Sequence, residues 1–357
     1  MGEKKPRPTI ADVAARSGVS RTTVSMALNG KGRIDPATRE RVRVAAAELN
    51  YRASVRAQRL RGGRAHSIAL ITALPATIVG EASHQGFLLD LALPAAQFCL
   101  ESGYSLVLVP PLETEDHLDA LDIDGAIVID PEDDDRRCNA LAQRGVQVVT
   151  IGAADGVDAA GVIDRGLGGA DVMIDHLERN GARDIVVLSS AESYPIKKAV
   201  LTYTELKAAH PKSERPITVA FAPAAAGEKG GEDAALEILS GTSRPDAIYA
   251  PLDAFAVGVA RAAARLGIAV PDELMVATNY DGRRANLVQP PLTALDLHLP
   301  EMAHAAASLL LSILEDDDDT TESPRVVTAP VPTVVARGST GRMKAVAKQS
   351  RESSRRA

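Results

Sequence analysis

The residue types and spacings best suited to chemistry lie within the first thirty positions. Thr9-Ile10-Ala11-Asp12 is a T-x-x-D pattern, in which a hydroxyl and a carboxylate satisfy the orphan N–H groups that open a first helix, predicted to end near Arg16 or Ser17. Gly18 supplies a tight turn, and Ser20 caps a second helix through about Leu28, with Val24 and Leu28 recurring at i, i+4. Two helices joined by a glycine-containing turn make a helix-turn-helix shape. Such a helix fits the major groove of duplex DNA, so side chains at its exposed start reach base edges. Here they are Arg21, Thr22 and Met26. Arg21 can donate bidentately to guanine, Thr22 can hydrogen-bond or touch a thymine methyl, and Met26 offers apolar contact alone.

Other chemistries fit poorly. Gly166-Leu167-Gly168-Gly169 follows a strand, as a phosphate loop would, but it lacks the full G-x-G-x-x-G spacing and the Walker lysine; a helix-start glycine cluster fits better. The seven histidines are scattered with none at metal-ligand spacing, and His176 and His304 read as packing or surface residues. There is no G-x-S-x-G elbow or H-E-x-x-H motif, and neither Cys99 nor Cys138 has a catalytic context. The acidic runs Glu132–Asp135 and Glu315–Asp319 read as solvated loops. No catalytic residue, metal or cofactor is therefore expected, and the chain does not read as an enzyme.

The elements that must position the reading helix emerge from charge and hydropathy. A net charge of −7 over 357 residues averages three dissimilar parts: +10 over residues 1–64, −23 over 65–336 and +6 over 337–357. A basic N-terminal unit on an acidic body suggests that the N-terminal part alone meets a polyanion. Asp35-Pro36 opens a third helix with Val42, Ala45, Ala46 and Leu49 as its core stripe. From His66 onward the pattern becomes short apolar runs spaced by helical stretches. Candidate strands are Ser67–Thr72, Ser105–Pro110, Gly125–Asp130, Val146–Gly152, Gly161–Asp164, Asp184–Ser190, Ile217–Ala222, Asp246–Ala250, Leu274–Tyr280 and Leu292–Leu297. Ten such strands suit two open, parallel α/β sheets better than one, and the runs from 67 and from 184 look like similar halves. Two cysteines build no disulfide framework, and the longest apolar stretch, Ile68 to Val79, is too short to span a membrane. A cytoplasmic, nucleoid-associated protein is expected, with no membrane partner.

The run Thr9-Ile10-Ala11-Asp12-Val13-Ala14-Ala15-Arg16-Ser17-Gly18-Val19-Ser20-Arg21-Thr22-Thr23-Val24-Ser25-Met26-Ala27-Leu28-Asn29, with Thr38-Arg39-Glu40-Arg41-Val42 and Glu48-Leu49-Asn50-Tyr51, resembles the N-terminal signature of the LacI/GalR family of bacterial transcription regulators. The resemblance covers nearly the whole chain, to Val335-Ala336-Arg337-Gly338-Ser339-Thr340, which resembles the family's last strand. It implies phosphate contacts from Thr9, Ser20, Thr23, Ser25, Asn29 and Thr38. It also implies a hinge helix over 52–62 that folds on DNA and wedges Leu60 into the minor groove, flanked by Arg56 and Ala57. Ala53 stands where proline is usual, which leaves the entry to that helix less rigid.

For the body the resemblance implies a periplasmic-binding-protein type I fold: two Rossmann-like subdomains around a cleft, with Lys197, Asp253 and Asp281 holding a polar effector. Departures accompany it. Lys197 replaces the usual arginine, Leu252 the cleft asparagine and Gly152 a common aspartate, and Thr202 breaks the R-x-x-x-G-aromatic pattern that ends in Tyr203. An effector other than an ordinary sugar, or a lost response, stays open. The expected organisation is a helix-turn-helix domain over 1–51, a hinge over 52–64, an effector-binding and dimerisation α/β domain over 65–340, and a disordered basic tail over 341–357.

One recognition helix covers too few base pairs for specificity, so the expected function is a transcriptional regulator, most simply a repressor, acting as a homodimer on a pseudopalindromic double-stranded operator. The helix from Gln85 to Ser102, with Leu88, Leu91, Ala95 and Cys99 on one side and an interrupting Pro94, is expected at the dimer interface. An activator, or a regulator blind to small molecules, are the alternatives of the same type. A secreted solute-binding protein would share the body but has no use for residues 9–62.

Overall fold

The computed structural model describes residues 9–28, 34–49, 64–72, 82–110, 115–191, 201, 217–316 and 324–341. They fall into two compact units, Met1–Ala65 and His66–Ala357.

The first unit is built from α1 (Ile10–Ser17), α2 (Arg21–Leu28) and α3 (Pro36–Glu48). At the entry to α1, the Thr9 backbone N–H and hydroxyl both donate to Asp12 Oδ2 at 2.7 Å. Those two bonds hold the Asp12 carboxyl below its ordinary value. Gly18 closes α1 in the left-handed region (φ 68°). Ser20 Oγ accepts from the Thr23 backbone N–H at 3.0 Å to start α2, and Asp35 accepts from Thr38 N–H at 3.1 Å to start α3. With short helices the core is small-residue packing: Val13, Ala14, Val24, Ala27, Val42, Ala45 and Ala46 are buried together. Arg16 and Glu48 pair at 2.7 Å on its exterior.

The second unit contains two six-stranded sheets. The first comprises β1 (Ser67–Thr72), β2 (Ser105–Val109), β3 (Gly125–Ile129), β4 (Gln147–Ile151), β5 (Gly161–Asp164) and β11 (Arg325–Thr328), in the spatial order β11–β5–β4–β3–β1–β2, all parallel. The second comprises β6 (Ile185–Ser190), β7 (Thr218–Ala222), β8 (Ala247–Tyr249), β9 (Met275–Tyr280), β10 (Thr293–Asp296) and β12 (Thr333–Val335), in the order β12–β10–β9–β8–β6–β7. Only β12 runs antiparallel. The same winding occurs twice, which is the internal similarity seen in the sequence. Parallel strands must be covered on both faces, and β1, β3 and β6 are buried along their whole length.

The covering helices are α4 (Ala82–Glu101), α5 (Arg136–Gln143), α6 (Ala170–Arg179), α7 (Gly227–Leu239), α8 (Asp253–Leu266), α9 (Arg283–Leu287) and α10 (Leu299–Glu315). Pro94 does not shorten α4, which continues to Glu101 where Phe98 stacks edge-on against His304 of α10. The inward face of α4 is Leu91, Ala95 and Cys99, all buried in the subdomain's own core with Leu88 packed beside them. That corrects the expected interface face: the outward residues are Leu89, Leu93 and Leu100, 49%, 67% and 72% exposed. Burial also pushes the Cys99 thiol up to about 11 and that of Cys138 to about 12, so both are inert packing residues.

Two loop expectations are corrected as well. Asp135 is not part of a solvated run; it is 3% exposed, caps α5 through the Arg137 N–H at 2.9 Å and pairs with the Arg137 side chain at 2.8 Å. The final strand is Thr333–Val335, whereas Gly338–Thr340 form a turn. That turn is stitched inward: Ser339 Oγ accepts from Thr293 N–H at 2.7 Å, and Thr340 Oγ1 lies 2.7 Å from Thr293 Oγ1 and 2.9 Å from His176 Nε2. The glycine cluster 166–169 is the helix-start segment before α6.

Helices α7 and α8 approach so closely that a Cβ on Gly258 would lie 2.3 Å from Glu228 O and 2.4 Å from Glu232 N. Gly258→Ala is expected to destabilise the body by roughly 1–3 kcal/mol in denaturant unfolding, as overpacking does; an unchanged midpoint would contradict this packing. The Asp12 cap gives a second expectation. Its stabilisation is present above the ordinary carboxylate range and is lost as pH falls through the lowered native value. Acid titration of the isolated melt of the N-terminal unit should therefore show a fall in stability that Asp12→Asn removes.

Candidate functional site

On α2, Val24 and Ala27 point into the three-helix core, and this forces the remaining positions outward. Arg21 and Thr22 are exposed on the first turn and Met26, 43% exposed, follows one turn later on the side of Thr22. The three predicted base readers thus form one accessible face. Around them, Thr9 and Thr38 stand at the starts of α1 and α3, Ser20 and Thr23 share a hydroxyl contact of 2.8 Å, and Ser25 is half-buried. The hydroxyls of Thr9, Ser20, Thr23 and Thr38 already serve local caps, yet each can donate and accept at once and keeps capacity for a phosphate oxygen. Arg41 Nη2 donates to Thr38 Oγ1 at 3.2 Å, which brings a cation beside that helix start. Asn29 and the hinge residues Arg56, Ala57 and Leu60 lie outside the described residues.

In the body, sheets wound β2–β1–β3 and β7–β6–β8 each have a switch point where consecutive connections leave in opposite directions, and ligands bind at the carboxyl ends of strands there. Asp253 follows β8 at the start of α8 and is 4% exposed. Asp281 follows β9. Its Oδ1 accepts from Arg337 Nη2 at 2.5 Å and from Asn286 Nδ2 at 3.2 Å. Tyr280, between them, donates to Asp90 Oδ2 of α4 at 2.7 Å and meets Phe87 edge-on. Burial first, then the bond to Asp90 and the carboxylates of Asp90, Asp253 and Asp281, raise the Tyr280 phenol well above its usual value. The two predicted effector carboxylates therefore share one electrostatic neighbourhood. A pocket of about 460 Å³ opens beside Asp281, walled by Leu93 and Pro94 of α4 with Leu295 and Leu297. Lys197, the third predicted effector residue, lies outside the described residues.

Three groups escaped the sequence reading. Arg337 neutralises Asp281 from 56 residues away, Tyr280 bonds α4 from 190 residues away, and Arg165 pairs with Asp130 at 2.5 Å over 35 residues. No local spacing signals such pairs. Among the described residues no group of histidine, cysteine and carboxylate side chains is arranged to hold a metal, and no helix is long and apolar enough to cross a membrane.

Comparison with known proteins agrees with this layout. Residues 9–54 match the pattern of "Bacterial regulatory proteins, lacI family", and residues 174–340 that of a "Periplasmic binding protein-like domain". The chain is 29% identical over 317 residues to the ribose operon repressor of Escherichia coli (strain K12), covering 85% of this chain and 92% of that one. It is 27% identical over 337 residues to the HTH-type transcriptional regulator CelR of Thermobifida fusca, covering 91% and 96%. Among solved structures it resembles a CelR–cellobiose complex (TM-score 0.66, 25% identity, 93% of this chain and all of that one). It shares the fold of the Lac repressor dimer bound to operator and the anti-inducer ONPF (TM-score 0.74, 20% identity, 94% and 99%). Its homologues are transcriptional regulators rather than enzymes. With both patterns matched in order along one chain, the protein carries a lacI-family regulatory head followed by a periplasmic-binding-protein-like body, the layout of the LacI-family repressors it resembles.

Proposed function

We propose that the chain is a sequence-specific transcriptional regulator, acting as a repressor, that binds a pseudopalindromic operator as a homodimer under control of a polar small molecule. The observation that carries this is the exposed Arg21–Thr22–Met26 face on a helix whose other side is fixed by buried Val24 and Ala27. Arg21 and Thr22 read base edges, and Met26 adds apolar contact. Thr9, Ser20, Thr23, Ser25, Asn29 and Thr38 position the head on phosphates, and Leu60 with Arg56 and Ala57 engages the minor groove. In the body, Asp253, Asp281 and Lys197 hold the effector. The chain works in the cytoplasm and has no catalytic role.

Pairing of two chains is supported by the outward stripe of α4. Leu89, Leu93 and Leu100 repeat at helical spacing, and Leu108 on the adjoining edge strand β2 is 46% exposed. A monomer seldom leaves such a stripe uncovered. Two heads are also what operator specificity demands, since each reads few base pairs.

A version of this regulator that no longer answers a small molecule is favoured by one observation, the engagement of Asp281 by Arg337 and Asn286. Mobility shift with operator DNA as sugars and other polar metabolites are added separates the two, release by a compound supporting control and none across a broad panel supporting the blind form.

Arg21→Ala is expected to weaken specific binding by about 1–3 kcal/mol and to relax preference at one operator base pair, measured by competition against single-base operator variants. Equal losses on specific and random DNA would oppose direct readout. Leu93→Glu should shift sedimentation toward the monomer and lower operator affinity with it; a variant that stays dimeric would place pairing on another face.

A further inference from the structure

Among the described residues the chain passes between the two sheets by short links, β5 to α6, β10 to α10 and β11 to β12, with α6 packed on β8 and β9 and α10 on β3, β4 and β5. Links of a few residues are where subdomains hinge, so by themselves they leave the relative position of the two sheets open to change. A side-chain contact away from these links ties the subdomains together. Helix α4 packs on β1 and β2 of the first sheet, and Tyr280, at the end of β9 in the second, donates its hydroxyl to Asp90 Oδ2 of α4 at 2.7 Å. The Tyr280 ring meets Phe87 of α4 edge-on, with 5.6 Å between ring centroids. Two glycines make room for it: a Cβ on Gly86 would lie 3.1 Å from the Tyr280 hydroxyl, and one on Gly282 would run into the ring. Helix α9, just past Tyr280, also packs against α4. Burial and the nearby carboxylates keep the phenol protonated, so it stays a donor, and a charged acceptor strengthens the bond.

We propose that Tyr280 and Asp90 form a latch between the subdomains that holds the surface around α4 in the one shape a second copy of the chain fits. This rests on the reading of the α4 stripe as the pairing face. Asp90 and Tyr280 both line the cavity of about 460 Å³, whose walls come from the two subdomains together: Leu89 and Leu93 from α4, Leu295 and Leu297 from the end of β10. Leu89 and Leu93 are also the exposed leucines of the stripe, on either side of Asp90 in the sequence. The surface offered to a second chain is therefore composite, and its shape depends on where one subdomain sits against the other. A bond from Tyr280 to the middle of that stripe fixes this position without itself occupying the outward leucine face.

The test measures the distance between subdomains in the full chain by electron–electron resonance, with spin labels at Arg136→Cys on α5 and Glu237→Cys on α7, both exposed, and labelled chain diluted into excess unlabelled chain. Cys99 and Cys138 are buried and stay unlabelled. The parent should give one narrow distance. Tyr280→Phe, which keeps the ring and removes only the hydroxyl, should broaden or shift it, as should Asp90→Ala. Asp90→Asn, whose carbonyl still accepts from the phenol, should keep the parent distance, which separates the latch from a general loss of fold. In sedimentation, Tyr280→Phe and Asp90→Ala should weaken pairing by roughly three- to tenfold and Asp90→Asn should not. Parent-like distances in both Tyr280→Phe and Asp90→Ala would overturn the latch, and altered distances with unaltered pairing would overturn its part in holding the surface. A parent chain that sediments as a monomer at every concentration would instead defeat the pairing reading, with the distances still deciding the latch.

Discussion

Parallel β-strands covered on both faces leave no room for polar chemistry along their length, so the body's functional groups can gather only where strands run out. The whole of β1, β3 and β6 is buried, and Asp130, Arg165, Asp253 and Asp281 all stand within a few residues past a strand's carboxyl end. Because both sheets share one winding, each has its own switch point, with Asp130 just past β3 at one and Asp253 just past β8 at the other. Arginines from distant segments, Arg165 and Arg337, hold two of these carboxylates in place. Placement of charge in this protein is thus a consequence of sheet topology.

The head obeys a different economy. Its helices are too short to be stable alone, so caps and a small tertiary core share the task. Thr9, Ser20, Asp35 and Thr38 fix helix starts, and helix starts are where backbone N–H groups point outward toward an anion. The residues that stabilise the unit are therefore those that can meet phosphate. A +10 head and a −23 body give the chain a polarity of its own, with DNA attracted to one part and repelled by the other. Affinity for DNA should consequently depend steeply on salt despite the overall negative charge.

Much of this was legible in the sequence because it is local. The capping pattern at Thr9–Asp12, the turn at Gly18 and the ten apolar runs are each written in a handful of adjacent residues. Strand β11 was not, being four residues long and largely exposed, and the last strand lies at Thr333–Val335, just ahead of the Val335–Thr340 run that suggested it. For α4 the stripe Leu88, Leu91, Ala95 and Cys99 was legible but not that it faces the subdomain's own core, since leucines occur at 88, 89, 91, 93 and 100 and periodicity cannot choose between faces of a helix apolar all round. Asp253 and Asp281 were singled out through motif, whereas the partners Arg337 of Asp281, Asp90 of Tyr280 and Arg165 of Asp130 are brought up across dozens of residues by tertiary packing.

The claim that most depends on the rest is that two identical heads read one symmetric DNA site. Selection of bound sequences from a random duplex pool by the full-length chain tests it most directly. The account predicts enrichment of sites with two inverted half-sites. Failure to enrich any sequence, or enrichment of a single site without symmetry, would contradict it.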